Sequence, residues 1–146
     1  IEVKSSHVAE DEPESILVEK AYKKPRGTDE EISNAIKGLN FKMNFQQLKP
    51  SCCDVFIWIA VWLDDIDIWV IPSSKIVMRP ENAPRRKPKD SIVSPEGVLY
   101  MGTQHQGGKG GDVPKGQIFV TNNHYDDLKQ YKVSLDTLIE KIKEAK

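Results

Sequence analysis

Hydrophobic and polar positions alternate at the head of the chain. Ile1 and Val3 alternate with Glu2 and Lys4, the period-two pattern of a strand half-buried against a core. A helical pattern follows at 28–39. Thr28 can cap it, Glu31 stands in capping-box position, Ile32, Ala35, Ile36 and Leu39 share one face, and Gly38 stops it. In the stretch NFKMNFQQLKPS, Phe41, Phe45 and Leu48 recur at helical spacing, with Lys42, Gln46, Gln47 and Lys49 around them. That spacing predicts a second helical stretch, ended by Pro50. Two runs rich in Ile, Val and Trp come next, DVFIWIAVWL and IDIWVIP, separated by Asp64 and Asp65. They predict a hairpin near the centre of a sheet, its first strand covered on both faces.

Beyond Met78 the pattern loosens. The segment from Met78 to Glu96 is rich in proline and in cations and reads as an extended loop. GVLYMG opens with a short strand, a glycine-rich loop follows, and QIFVT is a further strand. Ser134 is placed to cap a last helix with Leu135, Leu138, Ile139 and Ile142 as its stripe. No internal repeat is present. Residues 1–146 therefore read as a single mixed α/β domain, a sheet flanked by helices.

Composition narrows this picture modestly. With 38% hydrophobic and 29% charged residues, the chain falls in the soluble globular class. The longest apolar run, Val55 to Leu63, is too short to cross a bilayer, so no membrane partner is expected. Cys52 and Cys53 are adjacent, which rarely satisfies disulfide geometry, and a reducing, cytoplasmic compartment fits best. Neither CxxC nor a spaced His pair marks a zinc site, and His7, His105 and His124 are expected on the surface or in loops. A net charge of −1 argues against indiscriminate nucleic-acid binding but leaves room for a local basic face.

Glu2 and Lys4, two residues apart on a strand, project from the same side. A solvent-facing pair of this kind is common and worth little. In a different setting the same pair carries chemistry. A carboxylate such as Glu2 is a hard ligand for Mg²⁺, the Val3 carbonyl is another, and Lys4 can orient water or offset phosphoryl charge.

IEVKSS, then FQQLKPS, then CDVFIWIAVWLDDIDIWVIPSS resemble the PD-(D/E)xK nucleases, type II restriction endonucleases in particular. The resemblance implies a restriction-endonuclease-like mixed central sheet flanked by helices. It implies Mg²⁺-dependent hydrolysis of double-stranded DNA, with Glu2 and Lys4 as the acid and lysine and Gln47, or Gln46 beside it, as a helix glutamine near the active centre. Such enzymes often act as homodimers. The family's first Asp would lie before Ile1, so the chain is expected to be the C-terminal portion of a longer protein. Alone it should bind Mg²⁺ poorly and cut slowly or not at all.

Two segments are candidates for DNA contact. RRKPK offers Arg85, Arg86, Lys87 and Lys89 to phosphates, and Arg79 extends the patch. GTQHQGGKGG combines glycines, which allow close backbone approach, with Gln104, His105, Gln106 and Lys109, side chains able to meet base edges or phosphates. Its spacing excludes a P-loop. Either segment also reads as an ordinary solvated loop. Trp58, Trp62 and Trp69, inside apolar strands, belong to the core. A non-catalytic binding module and a structure-specific repair nuclease are the rival readings.

Overall fold

A computed structural model describes residues 1–11, 21–84, 86–103 and 116–146. Its strands form two four-stranded mixed sheets. The first contains β1 (Glu2–His7), β3 (Val55–Val61), β4 (Ile66–Pro72) and β8 (Lys132–Val133), in the order β1-β3-β4-β8. The second contains β2 (Lys42–Leu48), β5 (Ile76–Met78), β6 (Leu99–Thr103) and β7 (Gly116–Thr121), in the order β2-β7-β6-β5. Helix α1 (Asp29–Lys37) joins the first two strands in sequence, and α2 (Leu138–Ala145) follows β8.

The apolar hairpin forms as its composition dictates. β3 and β4 pair antiparallel through the full run from Val55↔Pro72 to Val61↔Ile66 and occupy the centre of their sheet. β1 lies parallel to β3, with Glu2 opposite Phe56 and Lys4 opposite Trp58. A parallel pair needs a crossover, and α1 and β2 occupy the intervening chain.

The inner faces of both sheets share one core. Phe45 of β2 stacks on Trp58 of β3, with ring centroids 4.3 Å apart and planes within 9°. Phe41 meets Trp62 edge-on, and Trp69 meets Tyr125. Trp58, Trp62 and Trp69 are buried, in keeping with their packing role. The opposite face of the first sheet presents Val55, Ile57, Ile68 and Val70 to Ile142 of α2. The layers are thus α2, first sheet and second sheet. A mixed α/β domain is what the sequence predicts, but its strands divide between two sheets, and its helices are few.

Helix α1 is capped as expected. The Thr28 hydroxyl accepts from the Glu31 N–H, the Glu31 carboxylate accepts from the Thr28 N–H, and Gly38 is the C-cap. Three other expectations fail. Residues 42–48 form a strand, not a helix, because Phe41, Met43 and Phe45 are all buried and so alternate at period two. The register then slips between Phe45 and Leu48, and the two-residue bulge returns Leu48 to the core. That slip is what imitates helical spacing.

β1 presents the opposite face from the one its apolar residues predict. Ile1 and Val3 are 59% and 55% exposed, while Glu2, Lys4 and Ser6 share the inward side with their partners Phe56, Trp58 and Ala60. Of the expected C-terminal stripe, Ile142 of α2 is buried and Leu138 half-buried, but Ile139, and Leu135 in the 3-10 turn that precedes α2, face outward. His124 lies in the turn after β7, as expected of a loop residue, with its ring buried and its Nε2 2.9 Å from the Pro88 carbonyl oxygen. Among the described residues, no helix is long and apolar enough to cross a membrane.

Candidate functional site

The two sheets meet along β1 and β2. An isolated antiparallel bridge joins Glu10 to Phe41, and the Asn44 N–H donates to the Ser6 hydroxyl at 3.1 Å. The sequence placed Gln47 on a helix. It sits instead at the bulge in β2, with φ 54°, a left-handed conformation that costs a non-glycine residue about 1–2 kcal/mol.

Lys4 Nζ lies 2.7 Å from Glu2 Oε1, and the two side chains are only 18% and 27% exposed. They form a half-shielded ion pair at this seam. Glu2 also acts on Cys53. Burial first, then the negative field of Glu2, pushes the Cys53 thiol above its ordinary range, so that thiol is no ready nucleophile.

A Mg²⁺ site needs several hard oxygen ligands converging. Among the described residues, no group of three His, Cys, Asp or Glu side chains is placed to hold a metal ion. Glu2 offers one carboxylate, already engaged by Lys4. The described residues do not by themselves fit the ion.

The expected DNA contacts divide. Arg85, Gln104, His105 and Lys109 lie outside the described residues, as does Gln106. Lys87 and Lys89 are exposed, while Arg86 is half-buried. Arg86 and Arg79 line a cleft of about 420 Å³ with Tyr100, Gln117 and Phe119. Burial and then the charge of Arg79 lower the affinity of the Arg86 guanidinium for its proton.

The loop bearing these arginines is pinned. Arg79 N–H donates to the Met101 carbonyl, Ile92 N–H donates to Asp127 Oδ2 at 3.1 Å, and the Ile92 side chain is buried.

Sequence reasoning missed one polar cluster. Asp67 of β4 faces the core and is 2% exposed. Lys24 Nζ reaches its Oδ1 at 2.7 Å, Lys132 Nζ at 3.0 Å, and Trp62 Nε1 donates to Oδ2 at 2.8 Å. The Tyr125 hydroxyl donates to the same Oδ2, and accepts from Lys132 Nζ at 2.9 Å. Burial alone would raise the Asp67 carboxyl. The hydrogen bonds from Lys24 and Tyr125 and the charge of Lys132 outweigh it and hold the group below its ordinary range. The signal was visible in the sequence: Asp67 interrupts the otherwise apolar run IDIWVI.

Comparison with models of known protein families, with curated proteins and with solved structures finds no match in any of the three.

Proposed function

We propose that this chain carries the acid and lysine of a nuclease that hydrolyses phosphodiester bonds in duplex DNA with Mg²⁺, in the manner of site-specific restriction enzymes. The observation that supports the reading is the Glu2–Lys4 pair. The two groups stand side by side on one strand, half-shielded, parallel to the apolar strand β3.

In this setting each side chain has a definable task. Lys4 places a fixed ammonium where it offsets charge developing on a phosphoryl oxygen. Glu2 holds that ammonium in position and offers a hard oxygen. Mg²⁺, when bound, supplies Lewis acidity. Gln47, held in a costly backbone conformation, supports the same seam. A two-fold DNA site suits a homodimer.

A second reading, a nucleic-acid-binding module without cleavage, is favoured by one feature. Glu2 is satisfied by Lys4 and needs no ion.

The natural polypeptide that contains this chain is incubated with mixed plasmid DNA and Mg²⁺ or Mn²⁺, wild type beside Lys4→Ala, after circular dichroism shows both folded. Discrete fragments from wild type, and a loss of about a hundredfold or more in Lys4→Ala, are expected. Cleavage undiminished in folded Lys4→Ala removes the assigned role. Intact DNA with both metals, combined with retained DNA binding, establishes the second reading instead.

A further inference from the structure

Residues of a strand alternate between faces, so the outward side of the second sheet can be read directly. Leu99 and Met101 of β6, and Ile118 and Val120 of β7, enter the shared core. Tyr100 and Gly102, and Gln117 and Phe119, therefore point away from it. Tyr100 is 38% exposed. Lys42 of β2 lies on this side too, its ammonium 5.0 Å from the centre of the Phe119 ring. This face is directed away from the inner side of the first sheet, where Glu2 and Lys4 stand.

Two hollows adjoin on this face and share the walls Arg79, Ala83, Arg86 and Tyr100. One, of about 420 Å³, continues over Gly102, Gln117 and Phe119. The other, of about 520 Å³, runs along Pro84, Ile92, Val93 and Pro95, with Asp90, Ser91 and Ser94 at its wall. Among the described residues, neither Arg79 nor Arg86 is in an ion pair. The two half-buried guanidinium groups repel each other; the nearby carboxylates of Asp127 and Asp90 offset part of that repulsion at Arg86, and an anion placed between the arginines relieves the rest. A guanidinium fork matches phosphate oxygens in shape as well as charge. Beside it, an apolar hollow with an exposed phenol at its rim matches the face of a planar ring.

We propose that this cleft binds a nucleotide unit, its phosphate between Arg79 and Arg86 and its base in the adjoining hollow against Tyr100. Stacking on Tyr100 requires an unpaired base, so the ligand is either a single-stranded segment of nucleic acid or a free nucleotide. The proposal is independent of the Glu2–Lys4 reading, because the cleft lies on the other sheet and needs no metal.

Fluorescence anisotropy of a labelled short oligo(dT), without divalent metal, measures the binding directly. Unlabelled dTMP, inorganic phosphate and a blunt duplex serve as competitors. The variants are Arg79→Ala, Arg86→Ala, Tyr100→Ala and the conservative Tyr100→Phe, each checked by its thermal melt.

Tyr100→Ala is expected to weaken oligo(dT) binding by about tenfold, and Tyr100→Phe to retain it. Each arginine variant should weaken binding and lessen its salt dependence. Competition by dTMP as strong as that by unlabelled oligonucleotide identifies a free nucleotide as the ligand, and weaker competition identifies a strand. Absence of binding overturns the proposal. So does inorganic phosphate competing as well as dTMP, or a duplex competing as well as the single strand while Tyr100→Ala binds normally. If Arg86→Ala fails to fold, Arg79→Ala and Tyr100→Ala decide the matter on their own.

Discussion

Asp67 holds more of the charge chemistry of this molecule than any other buried residue described. One carboxylate receives two ammonium groups, an indole N–H and a phenol. A buried charge so surrounded is costly to strip, because each former partner is left unpaired in a poorly solvated place. Asp67→Asn preserves the volume and removes the charge. It should destabilise the fold by about 3–5 kcal/mol, read from the midpoint of urea unfolding. The pH dependence follows from the direction of each shift. Asp67 is held below its ordinary value, so its contribution is complete above about pH 4 and declines as pH falls through the lowered folded value. Burial alone would lower Lys24, but its hydrogen bond to Asp67 wins and raises it. Its contribution is therefore complete below about pH 10 and declines at higher pH. Wild type should lose thermal stability at both extremes, and Asp67→Asn should show a flatter acid limb. An unchanged acid limb in that variant would show that other carboxylates govern acid unfolding.

Among the elements, the hairpin β3–β4 and the capped helix α1 were legible, because each is decided by residues close together in sequence. An unbroken run of Ile, Val and Trp suits only a strand covered on both faces, and Thr28 with Glu31 closes a cap locally. Strand β2 was not legible, because one bulge changes the period. Phe41, Met43 and Phe45 alternate, and then Gln46 and Gln47 displace Leu48 by one place. The inversion of β1 was hidden for a different reason. Its inward side is set by the neighbouring strand β3 and the edge of β2, neither of which its own alternation records. Of the candidate site, the Glu2–Lys4 pairing could be anticipated, but the cleft at Arg86 and the places of Tyr100 and Phe119 in it could not, since only the pairing of β6 with β7 brings those rings to the arginines. The bulge also makes a prediction. Glycine adopts φ 54° without steric cost, which offsets the loss of the glutamine side chain and its interaction, so Gln47→Gly should melt close to wild type. If the glutamine side chain serves the Glu2–Lys4 seam, the same variant should cleave DNA more slowly. A lower melting temperature with full cleavage would make Gln47 a structural residue alone.

Across the whole molecule, 21 basic side chains face 22 acidic ones, so long-range attraction to a polyanion is weak. Any affinity for nucleic acid must arise where cations are gathered locally. On the outer face of the second sheet, Arg79 and Arg86 stand in one cleft and Lys42 lies over the Phe119 ring that forms part of its wall. Three cations neutralising phosphates of a single strand, at about 0.7 released counterions each, give a slope of about −2 for log affinity against log salt. Paired bases cannot stack on Tyr100, so a duplex meeting this face should show weaker affinity at every salt concentration. The slope is obtained by repeating the oligo(dT) titration over a range of KCl. A value near −2 that falls to about −0.7, the share of Lys42, in the Arg79→Ala, Arg86→Ala double variant confines the contact to this cleft. A value of about −5 or steeper requires cations well beyond it, and the strand would then follow a track across the protein, with the cleft as one of its stations.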